Sequence, residues 1–414
     1  MDGKWYSSKR MHVISPTRYQ PRPTPRRKRP FIMTPLLILL AAGTINFFRP
    51  LPAPTASLTL ATPAAAVTPT IDWPADGQAA IAADGYGLLG TSGSADPLAT
   101  ASIAKIITAL CVLQKQPLAP RASGPTYTID ASDVALYQQY LAENGSLIPV
   151  QQGEKLTEYQ ALEALLLPSA NNIADSLARW VFGGQSAYRS YATSFLQQHG
   201  LNETHIGSDA SGFQPDTTST ASDLTSLGLL ALKNPVLMEI AGKSTATLPV
   251  VGTVSNYDTI LGQHGITGLK TGNNDVDLGA FLFTAEAQVG GKTLPLTGAV
   301  MGASSLDAAL QDSSQLAASL QRGFEQLTVA TAGQPVGSLQ TAWGSRVPIV
   351  SQQALQVVRW KGTPVTTSHH LDLSRRSGTI GSLKVAAGRA ESTVSLQLKQ
   401  TVSGPSFWWR LTRH

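Results

Sequence analysis

Apolar residues run without a charge through residues 31–48, a length of 18 that suffices for one helix across a hydrocarbon core. Residues 50–74 are dominated by Pro, Ala and Thr and hold few side chains able to build a core, so they read as an extended linker. Short apolar runs broken by Gly85 and Gly87 then predict a two-stranded hairpin over 78–89. At Ile103, Ile106, Ile107, Leu110 and Leu113 the spacing becomes helical and predicts a helix with one buried face over 100–114. A second helical stretch, 155–182, carries Leu156, Tyr159, Leu162, Leu165 and Leu166, breaks at Pro168 and resumes with Ile173, Leu177 and Trp180. Residues 207–215 read as loop and 220–233 as helix, with Ser222 and Asp223 suited to its first turn.

Further along, strands are expected at 265–270, 278–287 and 294–301, the last two joined by a turn at Gly290-Gly291. Leu306, Ala309, Leu310, Leu316, Leu320, Phe324 and Leu327 trace a long amphipathic helix. After Ala332 the pattern shortens to alternating runs at 336–343, 347–350, 357–360 and 394–398, which predicts a small all-β module of about 70 residues. The chain closes on Phe407, Trp408, Trp409, Arg410, Leu411, Thr412 and Arg413, which suits either a membrane-surface contact or a tail packed on its own sheet. No internal repeat is visible.

With 414 residues, 42% hydrophobic and 14% charged, the chain can build a sizeable core and is too apolar for wholesale disorder. Its net charge of +5 is misleading. Residues 1–30 hold nine Lys or Arg against one acid, which leaves −3 for the remainder and argues against a nucleic-acid-binding body. Cys111 is the single cysteine, so no internal disulfide is available. The basic run 26–29 immediately before the apolar span predicts that residues 1–30 stay cytoplasmic and that everything after Arg49 lies outside. A cleaved signal peptide is disfavoured because no small-x-small site follows Phe48, and a buried core helix because Pro35 interrupts the span. The expectation is therefore a single-pass protein of the cell membrane with its folded part extracytoplasmic.

Three short motifs carry candidate chemistry. Ser102 and Lys105 lie three apart near a helix start, where an ammonium can reach a hydroxyl and a lysine of lowered pKa can activate it. Ser-x-x-Lys arises on the order of once by chance in such a chain, and a helix-start serine beside a solvated lysine is its ordinary meaning. Ser169-Ala170-Asn171 sits in the helix break after Pro168, where Ser and Asn are ordinarily caps but can project into a cleft. Lys270-Thr271-Gly272 ends a strand; it offers a fixed cation, a donor hydroxyl and room for an extended substrate, or else forms a common turn.

In this order, and separated by 67 and 101 residues, the three resemble the penicillin-recognising serine enzymes. The nearer resemblance is to the D-alanyl-D-alanine carboxypeptidases among the low-molecular-mass penicillin-binding proteins. It is carried also by residues 101–110, by Thr204-His205 running to Gly212-Phe213, by 219–223 and by Gly268-Leu269 before Lys270. Val336-Gly337 and Trp343-Gly344 resemble that family's C-terminal domain, and the likeness extends over about residues 75–410. It implies an α+β fold: a transpeptidase/β-lactamase-like catalytic domain, with a sheet flanked by helices and a helical subdomain, followed by a small all-β domain and preceded by a transmembrane helix. The boundaries expected are a basic tail 1–30, an anchor 31–48, a linker 49–74, a catalytic domain 75–331, a β domain 332–405 and a tail 406–414.

The resemblance further implies that Ser102 attacks the penultimate D-Ala carbonyl of a peptidoglycan stem peptide and that water later frees the acyl group. Lys105 is then the base and Ser169 the proton relay, with Asn171 holding Lys105 and the substrate amide. Lys270 and Thr271, with Gly272, receive the terminal carboxylate, and the N–H groups of Ser102 and Asn273 form the oxyanion hole. β-Lactam antibiotics would acylate the same serine. No cofactor, metal or nucleic acid is implied. Two positions depart from the family pattern: Asn172 stands where Asp is frequent and Asn273 where His is frequent. A serine β-lactamase is disfavoured, because no Glu-x-x-Leu-Asn segment lies between Asn171 and Lys270. An endopeptidase acting on cross-links and a catalytically inactive wall-binding protein of the same fold remain as alternatives.

Overall fold

The computed structural model describes residues 33–60, 67–274 and 278–413, together with 18 and 20. The basic run 26–29 and the first two residues of the apolar span, Phe31 and Ile32, lie outside the described residues. Two compact units form, one from Met1–Ala53, Thr341–Ser345 and Ser403–His414, the other from Pro54–Gln340 and Arg346–Val402.

In the first unit, helix α1 (Met33–Phe48) takes Pro35 into its first turn. Proline does not interrupt the helix there, since those N–H groups have no intrahelical partner in any case. Only Gly43 of α1 is buried, against Leu411. The expected tail is a short helix, Phe407–Thr412, and it packs on α1 with the Phe47 and Phe407 rings 5.5 Å apart. Arg413 donates to the carbonyls of Asn46, Arg49 and Pro50, satisfying groups that the end of α1 leaves free. No described helix is by itself long and apolar enough to cross a membrane, and α1 has 16 residues.

The second unit is built on a five-stranded antiparallel sheet in the order Ile266–Asn274, Leu278–Val289, Lys292–Ala303, Gln78–Ala83, Gly87–Ser92. Both faces are covered. Ala80, Leu282 and Ala299 belong to one core, while Ile81, Phe281, Phe283 and Val300 belong to the other, as the two-residue side-chain period requires. The foreseen hairpin and the Gly290-Gly291 turn are both present.

A helical body covers the first face. Helix α2 (Ala104–Lys115) is buried at every residue from Ala104 to Leu113, so it is sheathed all round rather than on the single face its spacing suggested. Helices α3 (Ala131–Ala142), α4 (Glu158–Leu166), α5 (Asn171–Phe182), α6 (Gln185–Gln198), α7 (Ala221–Ala231) and α8 (Pro235–Ala241) complete it. The stretch expected to be helical from residue 155 begins instead with a strand, Lys155–Thr157, paired to Thr126–Thr128. Thr157 then caps α4 in a reciprocal box with Gln160.

Helix α9 (Leu306–Arg322) covers the other face. It is shorter than its apolar pattern suggested, because Phe324 and Leu327 belong to a strand, Phe324–Ala330, paired with Leu355–Trp360. The switch falls at Gly323, where a Cβ would lie 2.1 Å from the Trp360 ring. Six more strands form a sheet in the order Thr55–Leu58, Pro335–Gln340, Arg346–Ser351, Ala390–Leu398, Thr379–Ala387, Val365–Leu371. Its first strand comes from the stretch read as linker. Backbone pairing needs no apolar side chains, and Gly337 admits it closely, since a Cβ there would lie 2.2 Å from the Ser57 carbonyl oxygen.

Candidate active site

Ser102 lies in the 3-10 turn Ala101–Ile103 that leads into α2, which places Lys105 one turn further on and wholly buried. The Lys105 Nζ is 2.8 Å from Ser102 Oγ, 2.7 Å from Asn171 Oδ1 and 3.0 Å from the Ser211 carbonyl oxygen. Asn171 opens α5 and its N–H donates to the Ser146 carbonyl at 2.8 Å. Ser169, in the break between α4 and α5, is 2% exposed, and its Oγ has no hydrogen-bond partner. Ala101 (φ +46°) and Ser169 (φ +61°) both occupy the left-handed region, a strain of about 1–3 kcal/mol each.

Lys270, Thr271 and Gly272 lie within the strand Ile266–Asn274, not at its end, and that strand forms one edge of the sheet. Gly272 serves the protein's own packing: a Cβ would lie 3.0 Å from the Thr100 carbonyl oxygen and 3.3 Å from Ala101 Cβ. The strand thereby closes onto the turn that carries Ser102. A cleft of about 650 Å³ runs between these elements, lined by Ser102, Ser169, Asn171, Phe213, Thr271 and Asn273 among others. Lys105 and Lys270 are buried behind that lining.

Burial and electrostatics act together on the two lysines. Burial first, then the neighbouring Lys270 charge, hold Lys105 well below the ordinary lysine range, with Asp209 and Asp175 opposing. Lys270 is lowered to about 7 by burial, with Asp258 opposing. Its Nζ lies 3.1 Å from the Thr271 carbonyl oxygen, and near neutrality its charge depends on pH. Asp258 is pushed up to about 6, chiefly by its own burial.

Two carboxylates at the centre were not foreseen. Asp209 accepts from the backbone N–H of Ser211 at 2.7 Å, of Phe213 at 3.2 Å and of Gln214 at 2.9 Å, so it folds the loop that presents the Ser211 carbonyl to Lys105. Asp175 anchors the same loop through the Ala210 N–H at 2.9 Å and accepts from the Tyr140 hydroxyl at 2.7 Å. The available signal was an Asp two residues before Ser-Gly in a loop, a pattern that suits local side-chain-to-backbone turns. Gly212 completes the loop at φ +68°; a Cβ there would lie 2.2 Å from the Ala101 carbonyl oxygen.

The family model for the D-alanyl-D-alanine carboxypeptidases matches residues 72–305, which span the hairpin, Ser102, the helical body and the Lys270 strand. The chain belongs to this family. It is 32% identical over 133 residues to the D-alanyl-D-alanine carboxypeptidase DacB2 of Mycobacterium tuberculosis, covering 30% of this chain and 45% of that protein. To the D-alanyl-D-alanine carboxypeptidase DacD of Salmonella typhimurium it is 25% identical over 207 residues, 49% of this chain and 52% of that one. The chain thus matches about half the length of these curated relatives. Among solved structures, penicillin-binding protein 5 of Haemophilus influenzae shares the fold, with a TM-score of 0.56 and 18% identity over 82% of this chain and 99% of that one. The Streptomyces K15 DD-transpeptidase aligns at a TM-score of 0.52 and 25% identity over 60% of this chain and 97% of its own. Membership makes the chain a serine hydrolase by family, with the α+β fold anticipated from its three motifs.

Asn172, one of the two departures, has a structural reason. Its Oδ1 accepts from the Ile148 N–H at 3.2 Å while its Nδ2 donates to the Ile148 carbonyl at 3.0 Å, and a carboxylate can make only the first bond. Asn172→Asp is expected to cost about 1–3 kcal/mol at pH 8. The new carboxyl, buried against a carbonyl, has a folded pKa above its unfolded one, so the loss is full above the folded value, shrinks between the two values and is gone below the unfolded one, about 3.9, where a protonated carboxyl donates to Ile148. Melting of parent and variant at pH 8 and pH 4.5 checks this. An equal deficit at both would sink the explanation.

Proposed function

We propose that the chain is a membrane-anchored serine D-Ala-D-Ala carboxypeptidase that removes the terminal D-Ala of peptidoglycan stem peptides through an acyl-enzyme on Ser102, and that β-lactams acylate the same residue. The observation that carries the reading is the set of three partners around Lys105 Nζ. Two are pure acceptors, Asn171 Oδ1 and the Ser211 carbonyl oxygen. A neutral amine spends its two N–H bonds on them and turns its lone pair to Ser102 Oγ. The environment favours that neutral amine.

On this reading Ser102 Oγ attacks the carbonyl carbon of the penultimate D-Ala as its proton passes to Lys105. The backbone N–H groups of Ser102 and Asn273 receive the oxyanion. Collapse breaks the peptide bond, and the departing amine takes a proton through Ser169, whose unpartnered hydroxyl suits a relay. Free D-Ala leaves, and water hydrolyses the ester. The substrate's terminal carboxylate meets Thr271 and Lys270 and holds the latter in its charged form.

Intact-mass analysis after penicillin treatment tests the nucleophile: the parent should gain one adduct and Ser102→Ala none. An adduct on the variant would end the assignment, and failure of the parent to release D-Ala from a pentapeptide would end the carboxypeptidase reading.

The environment of Lys105 gives two opposite shifts. Acylation should rise with pH as Lys105 loses its proton. Lys270→Ala removes a charge that lowers the Lys105 pKa, so the limb should move to higher pH, with acylation slowed roughly 10- to 100-fold by the lost carboxylate contact. Asp209→Asn removes a charge that raises it but keeps the oxygen that holds Ser211 and Phe213, so the limb should move to lower pH. Shifts in one common direction would contradict this placement of charges.

Anchoring through the N-terminal helix is supported by side chains that are apolar and exposed around α1, including Leu36, Leu37, Ile38, Leu39 and Ile45, and by the basic run before it. The cell-associated protein should keep its basic N-terminus, with its catalytic part open to protease once the wall is removed. A mature N-terminus mapped after Phe48 would refute the anchor and leave the chemistry untouched.

A further inference from the structure

The two ends of the chain meet in the first unit, where α1 packs on the C-terminal helix α10 (Phe407–Thr412). Gly43 makes the meeting close, since a Cβ there would lie 2.9 Å from Leu411 Cδ1. The Asn46 side chain donates to the Arg413 carbonyl at 3.0 Å, and the Arg413 guanidinium is committed to carbonyls at the end of α1. Beside this contact an open groove of about 510 Å³ follows α1 from Leu36 to Phe47, with Phe407 and Leu411 of α10 on its wall. That wall is apolar. Its single hydroxyl, on Thr44, is taken by the Leu40 carbonyl at 2.7 Å.

Length and charge say what fits the groove. From Leu36 to Phe47 the helix rises about 16 Å, close to half of a hydrocarbon core about 30 Å thick. The groove therefore matches one leaflet. At its end stand Arg49, which is exposed, and Arg410, whose guanidinium lies 5.5 Å from the centre of the Phe47 ring. No Asp or Glu occurs among the described residues of this unit, so neither arginine has an acidic partner within it. The end of an apolar groove is thus supplied with positive charge, which suits an anion that carries a hydrocarbon chain.

We infer that the groove between α1 and α10 binds one anionic phospholipid of the outer leaflet, its acyl chain laid along α1 and its phosphate met by Arg49 and Arg410. The inference rests on the anchor reading, which puts α1 in a bilayer with Arg49 at the outer surface. Trp408 of α10, 70% exposed, falls near the same depth, where indole rings sit among headgroups. Lipid that merely solvates α1 would cover every apolar face alike, including Leu37, Ile38 and Ile45 outside the groove, and would show no preference for charge.

The test reconstitutes the full chain in phosphatidylcholine vesicles that carry a trace of lipid with a photoreactive acyl chain. The probe has a phosphatidylglycerol head in one sample and a phosphatidylcholine head in the other, and its adducts are mapped by mass spectrometry. The phosphatidylglycerol probe should label the groove face of α1 and α10 about fivefold more at low salt, and the ratio should approach one at 0.5 M salt. Arg49→Gln combined with Arg410→Gln should bring the low-salt ratio to about one, whereas Lys at both positions should keep most of the preference. Equal labelling of the parent by both probes, or a preference that survives in the double Gln variant, overturns the site while the anchor stands. Labelling confined to Leu37, Ile38 and Ile45 would give the groove to a protein occupant such as a second copy, and overturns it equally. A chain left in solution when the vesicles are pelleted would overturn the anchor reading, and this one with it.

Discussion

A lysine amine with no exposed surface must find every one of its partners inside the protein, and around Lys105 those partners come from three parts of the chain, two of them remote in sequence. The Ser102 turn, the start of α5 and the loop that holds Ser211 each contribute one oxygen. Leaving a buried amine without partners costs about 1–3 kcal/mol, so the correct meeting of the three segments contributes to stable folding. The same requirement brings the candidate nucleophile and its base together. Asp209 and Asp175 secure the third segment through backbone N–H groups, and they also oppose the fall in the Lys105 pKa. The two carboxylates that shape this loop therefore also temper the charge state that burial and Lys270 set.

Close backbone approach is the second condition. Gly212 and Gly272 lie against the 100–101 segment, each where a side chain would strike a carbonyl oxygen. Ala101, between them in space, adopts a left-handed conformation unusual for alanine. Such strain persists only where the surroundings over-determine it, and here two glycine-bearing segments do so.

Much of this was legible in the chain, and the misses have identifiable causes. The hairpin, the turn at Gly290-Gly291 and the three motifs were readable because each rests on local chemistry or fixed spacing. Helices α3, α6 and α8 were missed; α3 starts at a reciprocal cap between Asp130 and Asp133 and buries only Asp133 and Tyr140, so it has almost no apolar stripe. The end of α9 was overrun because Phe324 and Leu327 continue the helical spacing by coincidence, whereas Trp360, from 37 residues away in the chain, fixes the break at Gly323. Strand Thr55–Leu58 was invisible for a related reason, as an edge strand held by its partner's backbone needs no pattern of its own. Within the site, residue types were readable but charge states were not. The pKa of Lys270 depends on burial, which no triplet encodes.

The strand that bears Lys270 shows how the protein manages an open sheet edge. An unpaired edge invites association with other chains, yet the strand Ile266–Asn274 is buried or half-buried at every residue except Asn273. Helix α8 closes onto its beginning, where a Cβ on Gly268 would lie 3.2 Å from Ala241 Cβ. The Ser102 turn covers its middle at Gly272. What stays accessible is its far end, where Asn273 and Asn274 join Thr271 on the wall of the cleft. Among the described residues, the end beside Ser102 is therefore where an extended peptide that pairs with an edge strand can approach this one. Covering the rest of the edge protects the sheet and also restricts where along it a substrate can bind.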